Sequence, residues 1–139
     1  ITRELKEVQY EAKVIDVPEL GYVHISFTGV YRPGFKMKMI KVAGEEIQKL
    51  GYRKLLGDFT GGSISLSATE VFQRPGYFEE AGIPKDTRIA YVFHPEKTKI
   101  DIPFAEDVFF NRGWEVKFFF DLDEALAWLL AKSDEASDQ

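Results

Sequence analysis

Residues 112–131 read RGWEVKFFFDLDEALAWLLA. Gly113 is a stop for the helix expected before it, over 102–112. WEVKFFF (114–120) is aromatic and apolar enough for a strand. An acidic turn follows. Over 122–132, Ala125, Leu126, Leu129 and Leu130 recur at helical spacing, so this segment is a helix with those four side chains toward a core. One strand followed by one helix is half of a β-α-β unit, and the same pattern can be traced backward.

RIAYVFH (88–94) reads as a central strand, and so does 53–59, centred on Leu55 and Leu56. Between them a helical stretch starts near Ser67. It is expected to break into two short helices at Arg74-Pro75-Gly76, because proline removes a helical hydrogen bond. Ile40, Ala43, Ile47 and Leu50 mark a helix over 35–50, with Lys41, Glu45 and Lys49 on its outside and Gly51 ending it. Two β-like runs, 10–17 and 22–28, flank PELG as a hairpin. The order is β-β-α-β-α-β-α-β-α. It predicts an α/β fold with an opening β-hairpin, alternating strands and helices, and a mixed, mostly parallel sheet. One domain is expected over 1–132, with the polar SDEASDQ of 133–139 as a disordered acidic tail.

Composition removes several classes of function. The 139 residues contain no cysteine, which excludes disulfides and thiolate chemistry and fits a cytoplasmic protein. Eighteen Lys and Arg against 23 Asp and Glu give a net charge of -5. The nearest approach to a basic patch is Arg32, Lys36, Lys38 and Lys41, followed at once by Glu45 and Glu46, so no nucleic-acid partner is expected. Apolar runs are short and interrupted by charge, so no integral membrane segment is expected. The chain opens on Ile1 and not Met, so the native start is expected upstream. ITRELKEVQYEAK (1–13) is too charged for a secretory signal core.

Residues 57–70, GDFTGGSISLSATE, concentrate the polar candidates. A phosphate loop of the Walker type is excluded, since no lysine occurs between Lys54 and Lys85. Ser67-Ala68-Thr69-Glu70 matches a capping box at a helix start. Gly61 and Gly62 are expected to serve a turn, or to let the backbone approach a ligand. Asp58, placed at a strand's C-terminal end, and His24 are the candidates for an enzymatic reading. No catalytic set or metal site assembles from His24, His94 and the carboxylates by spacing, and no cofactor is expected. Twelve Phe, six Tyr and two Trp are more aromatic residues than one small core needs. Phe72, Tyr77, Phe78, Phe104, Phe109 and Phe110 are therefore candidates for an apolar ligand groove, as well as for core packing.

The strand-helix order from Tyr10, KLLGDF (54–59), RIAYVFH (88–94) and above all 112–131 resemble the STAS domain. The domain is named for sulfate transporters and anti-sigma-factor antagonists, and the resemblance is to its SpoIIAA-like branch. It implies a non-enzymatic regulatory module that binds a protein partner. In anti-sigma-factor antagonists a kinase phosphorylates a serine that begins the helix after the third strand, in a motif Asp-Ser-Ser/Thr-Gly. Counted from Asp58, that motif falls on Leu66-Ser67-Ala68-Thr69, with Leu66 for the aspartate and Thr69 for the glycine. The resemblance thus points to Ser63, Ser65, Ser67 and Thr69 as a switch or partner surface. Some related STAS-like domains are described alongside lipid carriers, so an apolar small-molecule ligand is the alternative expectation. A homodimer through an apolar helix face is the expected oligomer.

Overall fold

The structure is a computed structural model. It describes the backbone of residues 2–7, 10–31 and 33–131, and the side chains of all these except 7 and 33–37. The tail at 133–139, Arg32 and the side chain of Lys36 lie outside the described residues.

Among the described residues, seven strands and four helices form one α/β layer structure. The strands are β1 (Thr2–Glu7), β2 (Tyr10–Val17), β3 (Tyr22–Val30), β4 (Lys54–Ser65), β5 (Arg88–Phe93), β6 (Thr98–Lys99) and β7 (Glu115–Phe119). The helices are α1 (Pro33–Leu50), α2 (Ala68–Glu80), α3 (Ile102–Asn111) and α4 (Leu122–Leu130). The sheet order is β1-β2-β3-β4-β5-β7, with the short β6 beside the far end of β4. β1-β2 and β2-β3 are antiparallel, and every later pairing is parallel. β1 was not legible in the sequence. Its TRELKE alternates charge and apolar side chains weakly, and pairing with β2 is what makes it a strand.

Alternate residues of the central strands face opposite layers. Leu55, Ile89 and Tyr91 join the larger core with Ala43 and Ile47 of α1, Phe78 of α2 and Phe109 of α3. Leu56, Ala90 and Val92 pack instead against Ala125 and Leu129 of α4. β5 is buried along its whole length, as a strand covered on both faces must be. Gly113, at φ +86°, ends α3 in the left-handed region as the sequence suggests.

α4 is held by more than its apolar stripe. Arg88 is 6% exposed. Its Nη1 donates to the carbonyls of Trp128 (3.1 Å) and Ala131 (2.7 Å), and its Nε donates to Glu115 (3.1 Å). Its guanidinium lies 5.4 Å from the Trp128 ring centroid. One cation thus satisfies the free carbonyls at the C-terminal end of α4 and complements its dipole.

Two expectations need correction. The glycine pair is no turn, because β4 runs on through Gly61 and Gly62 to Ser65, and Asp58 lies inside that strand. β4 carries one extra residue against β3, where Ser26 pairs Asp58 and Thr28 pairs Gly61. A Cβ on Gly62 would stand 2.7 Å from Phe27 Cδ1 and 2.9 Å from the Gly29 carbonyl oxygen, so glycine is there for close approach. Nor does the second helix break: α2 is continuous through Arg74, Pro75 and Gly76. Proline costs about 3 kcal/mol in a helix interior. Burial of Val71, Arg74, Pro75 and Phe78 on one face of α2 offsets that cost.

Gly62→Ala should destabilise the fold by about 2 kcal/mol, the usual scale of overpacking. Gly61→Ala should cost less, because its added Cβ meets the Thr28 methyl rather than a ring and a backbone oxygen. Arg88→Met should cost about 3 kcal/mol through lost charge-assisted hydrogen bonds. Urea midpoints of the three variants check both statements.

Candidate functional site

The far end of β4 leads directly into the start of α2, and both carry exposed hydroxyl side chains. Along β4 the side chains alternate, so Ile64 is buried while Ser63 and Ser65 are exposed. β6 supports this end by pairing Thr98 with Ile64 and Lys99 with Ser65, and Leu66 N donates to Lys99 O at 3.0 Å. The chain then turns directly into α2. Ser67 Oγ accepts from Glu70 N at 3.2 Å, and Glu70 Oε1 accepts from Ser67 N at 3.1 Å, which completes the capping box. Ser67 and Thr69 are both exposed. Phe72, three residues beyond Thr69 on the same helix, is 59% exposed. The structure thus exposes all four hydroxyl candidates, Ser63 and Ser65 on the face of β4 opposite the buried Ile64, and Ser67 and Thr69 at the start of α2, where Phe72 is exposed as well.

No family model and no curated protein matches the chain in sequence. Among solved structures it is similar to an anti-sigma factor antagonist from Mycobacterium paratuberculosis. The two superpose over 90% of this chain and 98% of that one, at 14% identity and a TM-score of 0.57. The fold is STAS-like.

The aromatic candidates separate within this STAS-like fold. Phe78 and Phe109 are fully buried and pack on each other, with ring centroids 5.2 Å apart. Phe72 and Tyr77 line an open groove of about 350 Å³ together with Gly76, Glu80 and Arg112. Phe110, 78% exposed, borders a different depression of about 280 Å³ beside Trp114 and Trp128. Phe104, 36% exposed, lines neither of these depressions. The six rings do not converge on a single pocket. Helical spacing identified apolar faces but could not say which side of α2 and α3 met the sheet.

The strand register brings His24 and Asp58 together on the face that also carries α4. His24 Nε2 lies 4.0 Å from Asp58 Oδ2, beyond hydrogen-bond reach, and it has no hydrogen-bond partner although buried. Asp58 Oδ1 accepts from Thr60 N at 3.0 Å and from Thr60 Oγ1 at 2.7 Å. Burial pushes the His24 pKa below its ordinary value, and the Asp58 charge opposes that shift without overcoming it. His94 has a local role: its Nδ1 accepts from Glu96 N at 3.1 Å and caps the 3-10 turn Pro95–Lys97. Among the described residues no group of three or more His, Asp or Glu could hold a metal ion, and no helix is long and apolar enough to cross a membrane.

Sequence reasoning missed the other polar feature of this fold, which lies in the interior. Arg74 of α2 is 4% exposed, and its Nη1 donates to Tyr31 Oη at 2.9 Å. The guanidinium carbon stands 5.6 Å from the Tyr31 ring centroid and 6.0 Å from that of Tyr91. Burial disfavours its charge, but the two phenol oxygens outweigh burial and hold the arginine protonated. Burial pushes both phenols upward, with Arg74 opposing, so both are neutral at pH 7. The only sequence cue is a long basic residue on the apolar face of a helix, just before a proline.

A histidine whose pKa is lowered on folding binds fewer protons in the native state than in the unfolded one. The His24 contribution is therefore neutral above about pH 7.5, and stability falls as pH drops through the unfolded value of 6.5 toward the lower native one. Denaturant midpoints at pH 7.5 and 5.5 should differ less for His24→Gln than for the wild type. An equal drop in both would show that other groups carry the acid sensitivity.

Proposed function

We propose that this STAS-like chain is a non-enzymatic regulatory module that binds a protein partner through the ridge of Ser63, Ser65, Ser67 and Thr69. The observation that supports this most is the exposed Phe72 on the same helix start as the exposed Ser67 and Thr69, which follows directly on the exposed Ser63 and Ser65 of β4. A large ring at the centre of a polar rim is the usual composition of a protein contact. The solved neighbour's description as an anti-sigma factor antagonist points the same way.

Ser67 is the residue through which such a contact would be switched. A phosphate there adds about -1.5 to -2 charge and sits at the positive end of a 13-residue helix, where an anion is favoured. It also occupies the oxygen that now accepts from Glu70 N and places its charge against the Glu70 carboxylate. The capping box would have to open, and the ridge would change from neutral to anionic without α2 unfolding.

A photo-cross-linking residue at position 72, introduced in the native host, should capture a discrete protein, and one at Lys13 on β2 should not. Ser67→Asp retains a side-chain oxygen suited to the helix cap. It should lower capture at position 72 at least several-fold, with a urea midpoint close to wild type. Capture that is unaffected by Ser67→Asp would remove the switch. Capture only of a second copy of this chain would replace the partner by a homodimer.

A further inference from the structure

Arg74 is a buried cation without a counter-ion. Among the described residues no carboxylate forms an ion pair with it, and its guanidinium hydrogen-bonds only to the phenols of Tyr31 and Tyr91. Glu70 lies one turn earlier on α2, with its Oε1 on Ser67 N. Guanidinium offers five donors, so most of this one's capacity is unused. Buried charges are otherwise paired. The cation also borders a cavity of about 20 Å³ between the sheet and α1 and α2.

The walls of that cavity define what it can hold. Ile25, Met39, Ile40, Leu55 and Phe78 contribute only hydrocarbon and sulfur, and Arg74 and Tyr91 are the polar side chains. Gly57 also lines it, and a Cβ there would stand 2.7 Å from the Tyr91 ring, so a glycine inside β4 is what lets this phenol lie across the strand. The site presents one positive charge, spare N–H donors and a neutral phenol hydroxyl, inside an apolar shell. A water would fit in size but leave the charge uncompensated. A phosphate or sulfate is too large for a space of one or two waters, and a dianion would leave net negative charge behind.

We propose that this cavity is a binding site for a small monovalent anion, either a halide or the carboxylate of a short acid, with Arg74 as counter-charge and Tyr91 as second donor. Tyr31 acts as a positioning residue, fixing the guanidinium through its hydroxyl. The ridge at Ser67 is not needed for this site, so either can fail without the other.

The test is the melting temperature of the whole protein in sodium chloride or sodium formate from 0 to 200 mM, at ionic strength held constant with sodium gluconate, whose anion is too bulky to enter. Chloride or formate should raise Tm saturably by about 3 °C or more, as a ligand that binds only the native state does. Arg74→Met should abolish the rise. A response to formate alone would identify the natural ligand as a carboxylate, and a response to chloride alone as a halide. Equal melting temperatures in chloride, formate and gluconate would overturn the site, and so would an undiminished rise in Arg74→Met. If that variant does not fold, Tyr91→Phe keeps the charge and removes one donor. It should increase the anion concentration for half the effect several-fold, and an unchanged midpoint would refute the assignment.

Discussion

Phe59 packs against four other rings, two of which lie over positions of β4 that carry no side chain, Gly57 and Gly62. Its centroid lies 5.4 Å from Phe27, 5.7 Å from Tyr91, 5.7 Å from Phe93 and 5.9 Å from Tyr31. Tyr91 can reach it because position 57 is glycine, and Phe27 because position 62 is glycine. Offset and edge-on pairs of this kind add about 0.5–1.5 kcal/mol each beyond burial, so the cluster is a substantial share of what holds β3, β4 and β5 in register. The extra residue in β4 follows from the same packing. With Phe27 turned into the core opposite two glycines, β4 needs one more residue than β3 to bring Gly61 level with Thr28. That extension carries Ser63 and Ser65 out to the ridge and gives β6 its only partner strand. An aromatic core and a polar surface thus depend on the same absent side chains.

The layers were legible because periodicity survives without tertiary context. The stretch 112–131 gave a strand and helix whose apolar set, Ala125 and Leu129 with Leu126 and Leu130 beside them, is the set that packs against the sheet. The hairpin, the three central strands and all four helices were likewise readable in outline. What failed did so where a residue's local meaning and its tertiary use differ. Two adjacent glycines punctuate a chain in most contexts, and here they admit a ring. Proline ends most helices, and here its buried face keeps one whole. β1 has too little apolar alternation to announce itself. Of the candidate site, the Ser67 capping box was readable from four residues in a row. The approach of His24 to Asp58 depends on strand register, and the Arg74 pocket on five separate elements, and neither leaves a pattern in the sequence.

α2 is where these two kinds of residue meet. Its outward face carries Thr69 and Phe72, and its inward face Val71, Arg74 and Phe78, on a helix fixed at its start by reciprocal bonds of Ser67 and Glu70. A methionine at position 74 would reach as far into the core without any charge to desolvate. Removing an ion from water costs several kcal/mol even after relaxation, and contact with two neutral phenols offsets it, at about 2 kcal/mol for a desolvated cation–π contact and roughly 1.5–3 for a charged hydrogen bond. The arginine is thus held by two phenols in place of a carboxylate, in a fold whose core is otherwise largely apolar. The Tyr31 bond orients the guanidinium without neutralising it, and the neighbouring space is lined almost wholly by hydrocarbon. An anion bound there, as proposed, would add the one formal counter-charge that the phenols do not carry, and would make stability and occupancy of the cavity two aspects of one equilibrium.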